Sequence, residues 1–476
     1  MDWSYELLTP AEQKLFRRLA VFPGGCSLEA AEAVCALRGD LELDLLDGMT
    51  SLLDKSLLQQ TESSPGEARF GMLETVREYA LEKLQTSAET PLIRRAHAAY
   101  FLVLAEDAAA PPDPAESADR LHQLAVEQDN LRAAVEWLVE DGNAEWGLRL
   151  GAALFRFWET REHLAEGRES LRKLLALPQG AAPSIIRERA VFAAGVLAVD
   201  QGDYDAADAL FRESLAIAAK LGDKHGEAVS LNAVAVNARD RGDLCAAVSL
   251  FENSLALWRE LGDRKAVARS LSNLAKVVKL QGDCDRARSF YTECLAIFEE
   301  LGDRTGIAWA FNYQGDVARQ ERHFAAAQEL YERGLAIFRE LGDRWGIAGT
   351  LADLGSLARE QRNYSQARSR YCESLKLFHA LGHKRGIARL LECFACAATA
   401  ELDSERALRL AAAAAALRQN IGAPLNPAEQ AGLDASLLPA RHFLSAGAGE
   451  AAWVEGWGWT VEKAIEEALG LQAAPS

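Results

Sequence analysis

The 476-residue chain contains no run of about 18 apolar residues, the length a helix needs to cross a bilayer. Its first residues, Met1-Asp2-Trp3-Ser4, include no basic segment leading into an apolar stretch, which argues against a secretory signal. A cytoplasmic protein that does not enter membranes is expected. Basic residues are also scarce: 52 Lys and Arg stand against 70 Asp and Glu, a net charge of −18. A field of that sign disfavours nonspecific binding to nucleic acid or anionic lipid. Several catalytic signatures are missing. The eight histidines include no H-E-x-x-H, no G-x-S-x-G is present, and there is neither a G-x-x-x-x-G-K-[ST] phosphate loop nor an acidic strand to hold Mg²⁺. Eight cysteines are scattered at positions 26, 35, 245, 284, 294, 372, 393 and 396. Cys393 and Cys396 form a C-x-x-C inside a helix, with no second pair and no histidine at ligand spacing. They read as small buried residues. No catalytic residue, metal site or cofactor is expected, and the chain is not expected to be an enzyme.

What the chain does have is a repeat. Leu-Gly recurs every 40 residues, at Leu221-Gly222, Leu261-Gly262, Leu301-Gly302, Leu341-Gly342 and Leu381-Gly382. Periods of about 20 to 50 residues mark solenoids, whose units bury their apolar faces against their neighbours. Gly222 and its counterparts stand where a helix ends in a left-handed residue, and Asp223, Asp263, Asp303 and Asp343 stand where the next helix needs an N-cap. Between them a second tight turn reads Gly202-Asp203, Gly242-Asp243 and Gly282-Asp283, then Arg322-His323 and Arg362-Asn363. Each unit is therefore an antiparallel helix pair.

Within the unit a small residue at 195, 235, 275, 315, 355 and 395 is followed 12 residues later by Ala207, Ala247, Ala287, Ala327 and Ala367. Four residues on come the aromatics Phe211, Phe251, Tyr291, Tyr331 and Tyr371, and three further the small residues Ser214, Ser254, Cys294, Gly334 and Ser374. This signature resembles the tetratricopeptide repeat. The period is 40 where that repeat has 34, so the second helix of each pair is expected to be the longer, and the usual proline at the repeat end is replaced by Leu-Gly-Asp-Arg.

The N-terminal residues do not follow the repeat. Thr9-Pro10-Ala11-Glu12 is a capping box with proline at N1. A second helix starts at Ser27, and a third is expected over about Leu41 to Leu53. Ser56 to Gln60 and Arg69 to Met72 read as short strands around Ser63-Ser64-Pro65-Gly66, before a helix with Val76, Tyr79, Ala80 and Leu84 on one face. Three helices and a two-stranded wing make a winged helix. Glu42, Asp44, Asp47 and Asp54 against the single base Lys55 would repel phosphates, so DNA binding through this helix is not expected.

Asp2-Trp3-Ser4-Tyr5-Glu6-Leu7-Leu8, the stretch Leu15 to Gly25, Leu53 to Leu57 and Met72 to Ala80 resemble the winged-helix segment of bacterial STAND signalling ATPases, the large LuxR-type and AfsR-type regulators. Glu127 to Ala134 and Trp158 to Gly167 are similar to that family's linker. Ile421 to Pro424, Trp453 to Gly456 and Ala464-Ile465 resemble its C-terminal cap. The resemblance implies a nucleotide-binding module before the Asp-Trp-Ser-Tyr segment, acting on this chain in cis or in trans, and a tetratricopeptide sensor after it.

The expected fold is all-α: a tetratricopeptide-like solenoid of 40-residue helix pairs behind a small winged helix with a two-stranded wing. The expected domains are a winged helix over 1–85, a helical linker with degenerate repeats over 86–185, the solenoid over 186–402 and a helical cap over 403–476. The first helix of each pair should line the concave face. Residues six and three before the small position, and one and four after it, would then form the groove: Arg239, Arg269, Lys276, Lys279, Trp309, Asn312, Asp316, Arg319, Arg359 and Arg389. Such a row suits an acidic peptide, a protein partner or a small anionic effector, with Trp309 as anchor. It is equally what a solvated charged face looks like. Three functions stay open: the sensor portion of a STAND-type regulator, a free-standing repeat scaffold for protein partners, and a DNA-binding transcription factor acting through the winged helix.

Overall fold

The computed structural model describes residues 2–64, 67–110, 114–160 and 163–470. It is helical throughout except for one two-stranded sheet, and it divides into two compact units, 1–197 and 198–476. Among the described residues no helix is long and apolar enough to cross a membrane.

The first unit opens with the winged helix. Thr9 and Glu12 close the expected capping box around the helix Pro10–Leu19, and Ser27 caps Leu28–Cys35. The third helix begins later than expected, at Leu45, because the Asp44 carboxylate accepts from the amides of Leu46 and Asp47 and makes that residue the N-cap. The wing pairs Gln59–Ser64 with Glu67–Gly71 in antiparallel register; Pro65 and Gly66 of the expected turn lie outside the described residues. The first strand is shifted relative to the expectation. Ser56 has φ 57°, and the amides of Leu57 and Leu58 turn back to the Leu52 carbonyl, so these leucines fill the core instead of entering the sheet. The helix Glu74–Gln85 buries Val76, Ala80 and Leu84 as expected.

Two buried arginines tie this unit together. Arg18, fully buried, donates to Asp40 at 2.7 and 2.8 Å, to Glu89 at 2.7 Å and to the Cys35 carbonyl at 2.6 Å. Arg69, from the wing, grips Glu127 through two bonds of 2.7 and 2.8 Å and also donates to the carbonyls of Gly24 and Gly25. Asn130 donates to the same Gly25 carbonyl at 2.8 Å. The Phe22-Pro23-Gly24-Gly25 loop is thus clamped between the wing and the Glu127 to Asn130 segment. Removing one partner of such a buried pair leaves the other charge uncompensated.

The second unit contains the helix Tyr204–Leu221 and five helix pairs, Lys224–Asp240 with Leu244–Leu261 through Lys384–Ala400 with Ser404–Asn420. Three further helices, Pro427–Phe443, Ala446–Trp457 and Val461–Leu469, follow. The punctuation works as anticipated: Gly222, Gly262, Gly302 and Gly342 are left-handed C-caps, and Asp223, Asp263, Asp303 and Asp343 cap the next helix. The expected lengthening of the second helix alone does not occur. The helices of the first pair, Lys224–Asp240 and Leu244–Leu261, have 17 and 18 residues, so the two share the period almost evenly.

Packing depends on the small positions. A Cβ on Gly315 would come within 2.8 Å of the Tyr331 ring, and one on Gly355 within 2.5 Å of the Tyr371 ring. Ser254 and Ser374 are fully buried, and their hydroxyls donate to the carbonyls of Ala228 and Ala348 at 2.8 and 2.7 Å. The coil returns on itself within this unit. Arg385 donates to Asp200 at 2.8 Å, and Pro424 packs so closely on Gly202 that a Cβ there would approach to 2.4 Å.

Two outcomes follow. Arg322 holds φ 64° in a turn that uses glycine in the earlier units, so Arg322→Gly should raise the urea-unfolding free energy while Gly342→Ala, at φ 68°, should lower it, each by about 1 kcal/mol. His97 is buried against Phe22 and Phe101, and burial pushes its imidazole pKa down to about 3. Between that value and about 6.5 the unfolded chain takes up a proton that the folded chain refuses. Stability of the first unit should therefore fall as pH drops from about 6.5 to 4.5, by about 2 kcal/mol, and His97→Gln should flatten that slope in pH-dependent denaturation.

Candidate functional site

The first helices of successive pairs present one row of side chains each to the inner face, and three of these rows meet. Trp309 lies against Trp345 with ring centroids 5.0 Å apart, against Phe338 at 4.9 Å, and stacks on Tyr313 at 5.9 Å; Tyr313 in turn stacks on Tyr291 at 5.5 Å. A continuous aromatic strip results. At one end of it is a cavity of about 270 Å³ whose wall includes Trp309, Trp345, Asp353, Phe378, Arg385 and Arg389. Gly349 and Gly386 also border it, and neither contributes a side chain to fill the space.

The expected cationic row exists, but most of it is neutralised in place. Arg239 pairs with Asp240 at 2.7 Å, Lys279 with Asp316 at 3.2 Å, Arg319 with Glu360 at 2.6 Å and Arg389 with Asp353 at 2.7 Å. Tyr331 also donates to Asp316 at 2.7 Å. Burial disfavours the charge on Asp316, yet Lys279 and Arg319 outweigh it and hold the carboxyl below its usual range. Asp353 goes the other way: burial, reinforced by the nearby Asp316, keeps its carboxyl above the usual range in spite of Arg389. Lys276 forms no ion pair with a carboxylate among the described residues; its ammonium sits 4.3 Å from the centre of the Tyr313 ring. Burial, then the neighbouring Arg239 and Lys279, bring its pKa down to about 8. Arg269 is exposed, and Arg359 is half-buried beside Tyr371.

One residue of the expected groove lies elsewhere. Asn312 is 2% exposed and donates to the Thr350 hydroxyl at 2.5 Å, in a space that exists only because Gly334 lacks a side chain. It is an interhelix packing residue. Counting back three from the small position turns the helix under its neighbour, which is also where Ser272 and Ala352 are buried. The cavity instead takes first-helix residues at steps of four, at ten, six and two before the small position: Trp345, Gly349 and Asp353; Trp309; Arg385 and Arg389. Sequence reasoning therefore missed Trp345, Asp353 and Arg385, although spacing by four would have found them. The thiol of Cys393 is pushed up to about 11 and that of Cys396 is also raised, both chiefly by burial, so neither is a thiolate at neutral pH. Among the described residues no group of His, Cys, Asp and Glu is placed to hold a metal ion.

On the third helix of the winged helix the exposed side chains are Leu46, Asp47, Thr50 and Asp54. No lysine or arginine lies within that helix, Leu45–Asp54.

Comparison with known proteins agrees with this architecture. Residues 8–85 match a winged helix-turn-helix domain, and residues 194–226, 232–300, 267–340 and 306–380 match tetratricopeptide repeats. A segment of 173 residues is 44% identical to proteins of Mycobacterium tuberculosis and Mycobacterium bovis named as HTH-type transcriptional regulators, covering 35% of this chain and 19% of those proteins. A 94-residue segment is 40% identical to an uncharacterized Mycobacterium tuberculosis protein, covering 20% of this chain and 24% of that one. The fold is shared with a Pyrococcus horikoshii signal transduction ATPase with numerous domains that carries a tetratricopeptide repeat sensor. The TM-score is 0.54 at 14% identity, over 98% of this chain and 66% of that one. The chain thus combines a winged helix-turn-helix with a tetratricopeptide solenoid, and it spans about a fifth of the length of the regulators it matches.

Lys276 offers a test of the inner face. In a pH series of amine acylation read by mass spectrometry, its half-maximal reactivity should fall near pH 8, well below the ordinary lysine value of about 10.4. A profile centred at the ordinary lysine value would contradict the burial of Lys276 among cations and aromatics.

Proposed function

We propose that this chain is the regulatory and sensor portion of a STAND-type signalling or transcriptional regulator, and that the inner face of its solenoid binds an effector. The observation that supports this most is the cavity in which Trp345 stands half exposed beside the Asp353–Arg389 pair. A large apolar ring left open next to convergent charged groups is a binding feature more than a stability feature. The local charges are mostly paired, so the effector need not be strongly acidic. A protein or peptide, or a small molecule carrying charge, fits the same surface.

In this reading the winged helix serves as the contact for a nucleotide-binding module, in cis or in trans, instead of reading DNA. The exposed face of its third helix carries Asp47 and Asp54, which disfavours phosphate. Nucleotide hydrolysis would belong to that module, with no cofactor held by this chain. A free-standing scaffold would use the same groove without switching.

Equilibrium dialysis of the full chain against a fractionated cell extract, followed by mass spectrometry of what is retained, tests the reading. The double variant Trp309→Ala, Arg319→Ala should lose the retained compound or peptide by at least about tenfold, the size of one lost charged or aromatic anchor. Equal retention by the variant would overturn the groove assignment. Salt-sensitive retention of duplex DNA by the winged helix would favour the transcription-factor reading instead.

A further inference from the structure

The cavity beside Trp345 has a particular charge layout. Three guanidinium groups border it, those of Arg385, Arg389 and Arg418, against one carboxylate, Asp353. Two of the three already have acid partners that are not among the cavity's lining residues: Arg385 donates to Asp200 at 2.8 Å, and Arg418 to Glu392 at 2.5 and 3.0 Å. Arg389 and Asp353 face the cavity as a single-bonded pair, Nη2 to Oδ1 at 2.7 Å. A bidentate pair would use up both groups; this one leaves the second carboxylate oxygen and the rest of the guanidinium fork available. The apolar side of the cavity is the open face of Trp345, with Phe378 nearby. At about 270 Å³ the space is that of one small molecule, below the usual range for drug-sized ligands.

We infer that this cavity binds the zwitterion of an aromatic α-amino acid, with the ring on Trp345, the ammonium on Asp353 and the carboxylate on Arg389. An arginine and a carboxylate held side by side complement the two charges of an amino acid backbone. A purely anionic ligand would satisfy the arginine and be repelled by Asp353; a purely cationic one would meet the reverse. The raised carboxyl of Asp353, which Arg389 alone does not compensate, is what an added ammonium would relieve. This inference rests on the groove reading proposed above and narrows its ligand.

Calorimetric titration of the full chain with L-tryptophan, L-phenylalanine and L-tyrosine tests it, alongside N-acetyl-phenylalanine, phenylalaninamide and L-leucine. At least one aromatic amino acid should bind. Its N-acetyl and amide derivatives should each bind at least about tenfold more weakly, because each removes one charge-assisted contact. Asp353→Asn and Trp345→Ala should weaken binding to a similar extent, while Arg264→Ala, at an exposed ion pair, should not. Trp345 is half exposed, so its variant should fold, and circular dichroism of each variant checks this. Absence of binding by all three amino acids, or equal binding of the N-acetyl or amide form, overturns the inference. If the dialysis experiment still retains a compound that depends on Trp309 and Arg319, the groove reading survives and only the ligand class fails.

Discussion

The structure depends most on how closely neighbouring helices approach at the small positions. Gly315 and Gly355 sit under Tyr331 and Tyr371 with no space for a methyl group, and the buried Ser254 and Ser374 bond directly to the backbone of the preceding helix. Such contacts admit one register. Because they recur at fixed offsets, Trp345, Gly349 and Asp353 of one first helix meet Arg385 and Arg389 of the next and Trp309 of the one before around a single cavity. The aromatic strip and the cavity at Trp345 are therefore consequences of packing, assembled from side chains tens of residues apart.

The same regularity explains the electrostatics. An inner face built from repeats places like charges next to each other, and a bare ladder of arginines would repel itself. Acids interleave with it: Asp316, Asp353 and Glu360 each take a basic partner from another helix, and Asp240 takes Arg239, its neighbour in the same helix. The exceptions stand out against that background. Lys276 rests on an aromatic ring, and the carboxyl of Asp353 stays above its usual range in spite of Arg389. Groups left partly uncompensated on a concave surface are where a ligand gains most.

Much of this was legible in the residues. Leu-Gly-Asp gave the helix stops and caps, because a left-handed glycine and an aspartate N-cap are local requirements of the backbone. The winged helix followed from Thr9, Pro10 and Ser27 for the same reason. What escaped was set by tertiary packing. Asn312 looks like a groove residue by spacing of three, yet the next helix covers it and Thr350 takes its amide. Trp345 and Asp353 fell outside a face defined by six and three. The role of Glu127 in clamping the Gly24-Gly25 loop through Arg69 joins residues 58 apart, and no local signal announces it.

The central claim, that the inner face of the solenoid is where this chain meets its effector, is tested most directly by photocrosslinking. A benzoylphenylalanine placed at Trp345 should, in the small-molecule and peptide fraction of a cell extract, form a discrete adduct that the same probe at the exposed Glu329 of the second helix does not form. The same adducts from both positions, or none at Trp345, would contradict it.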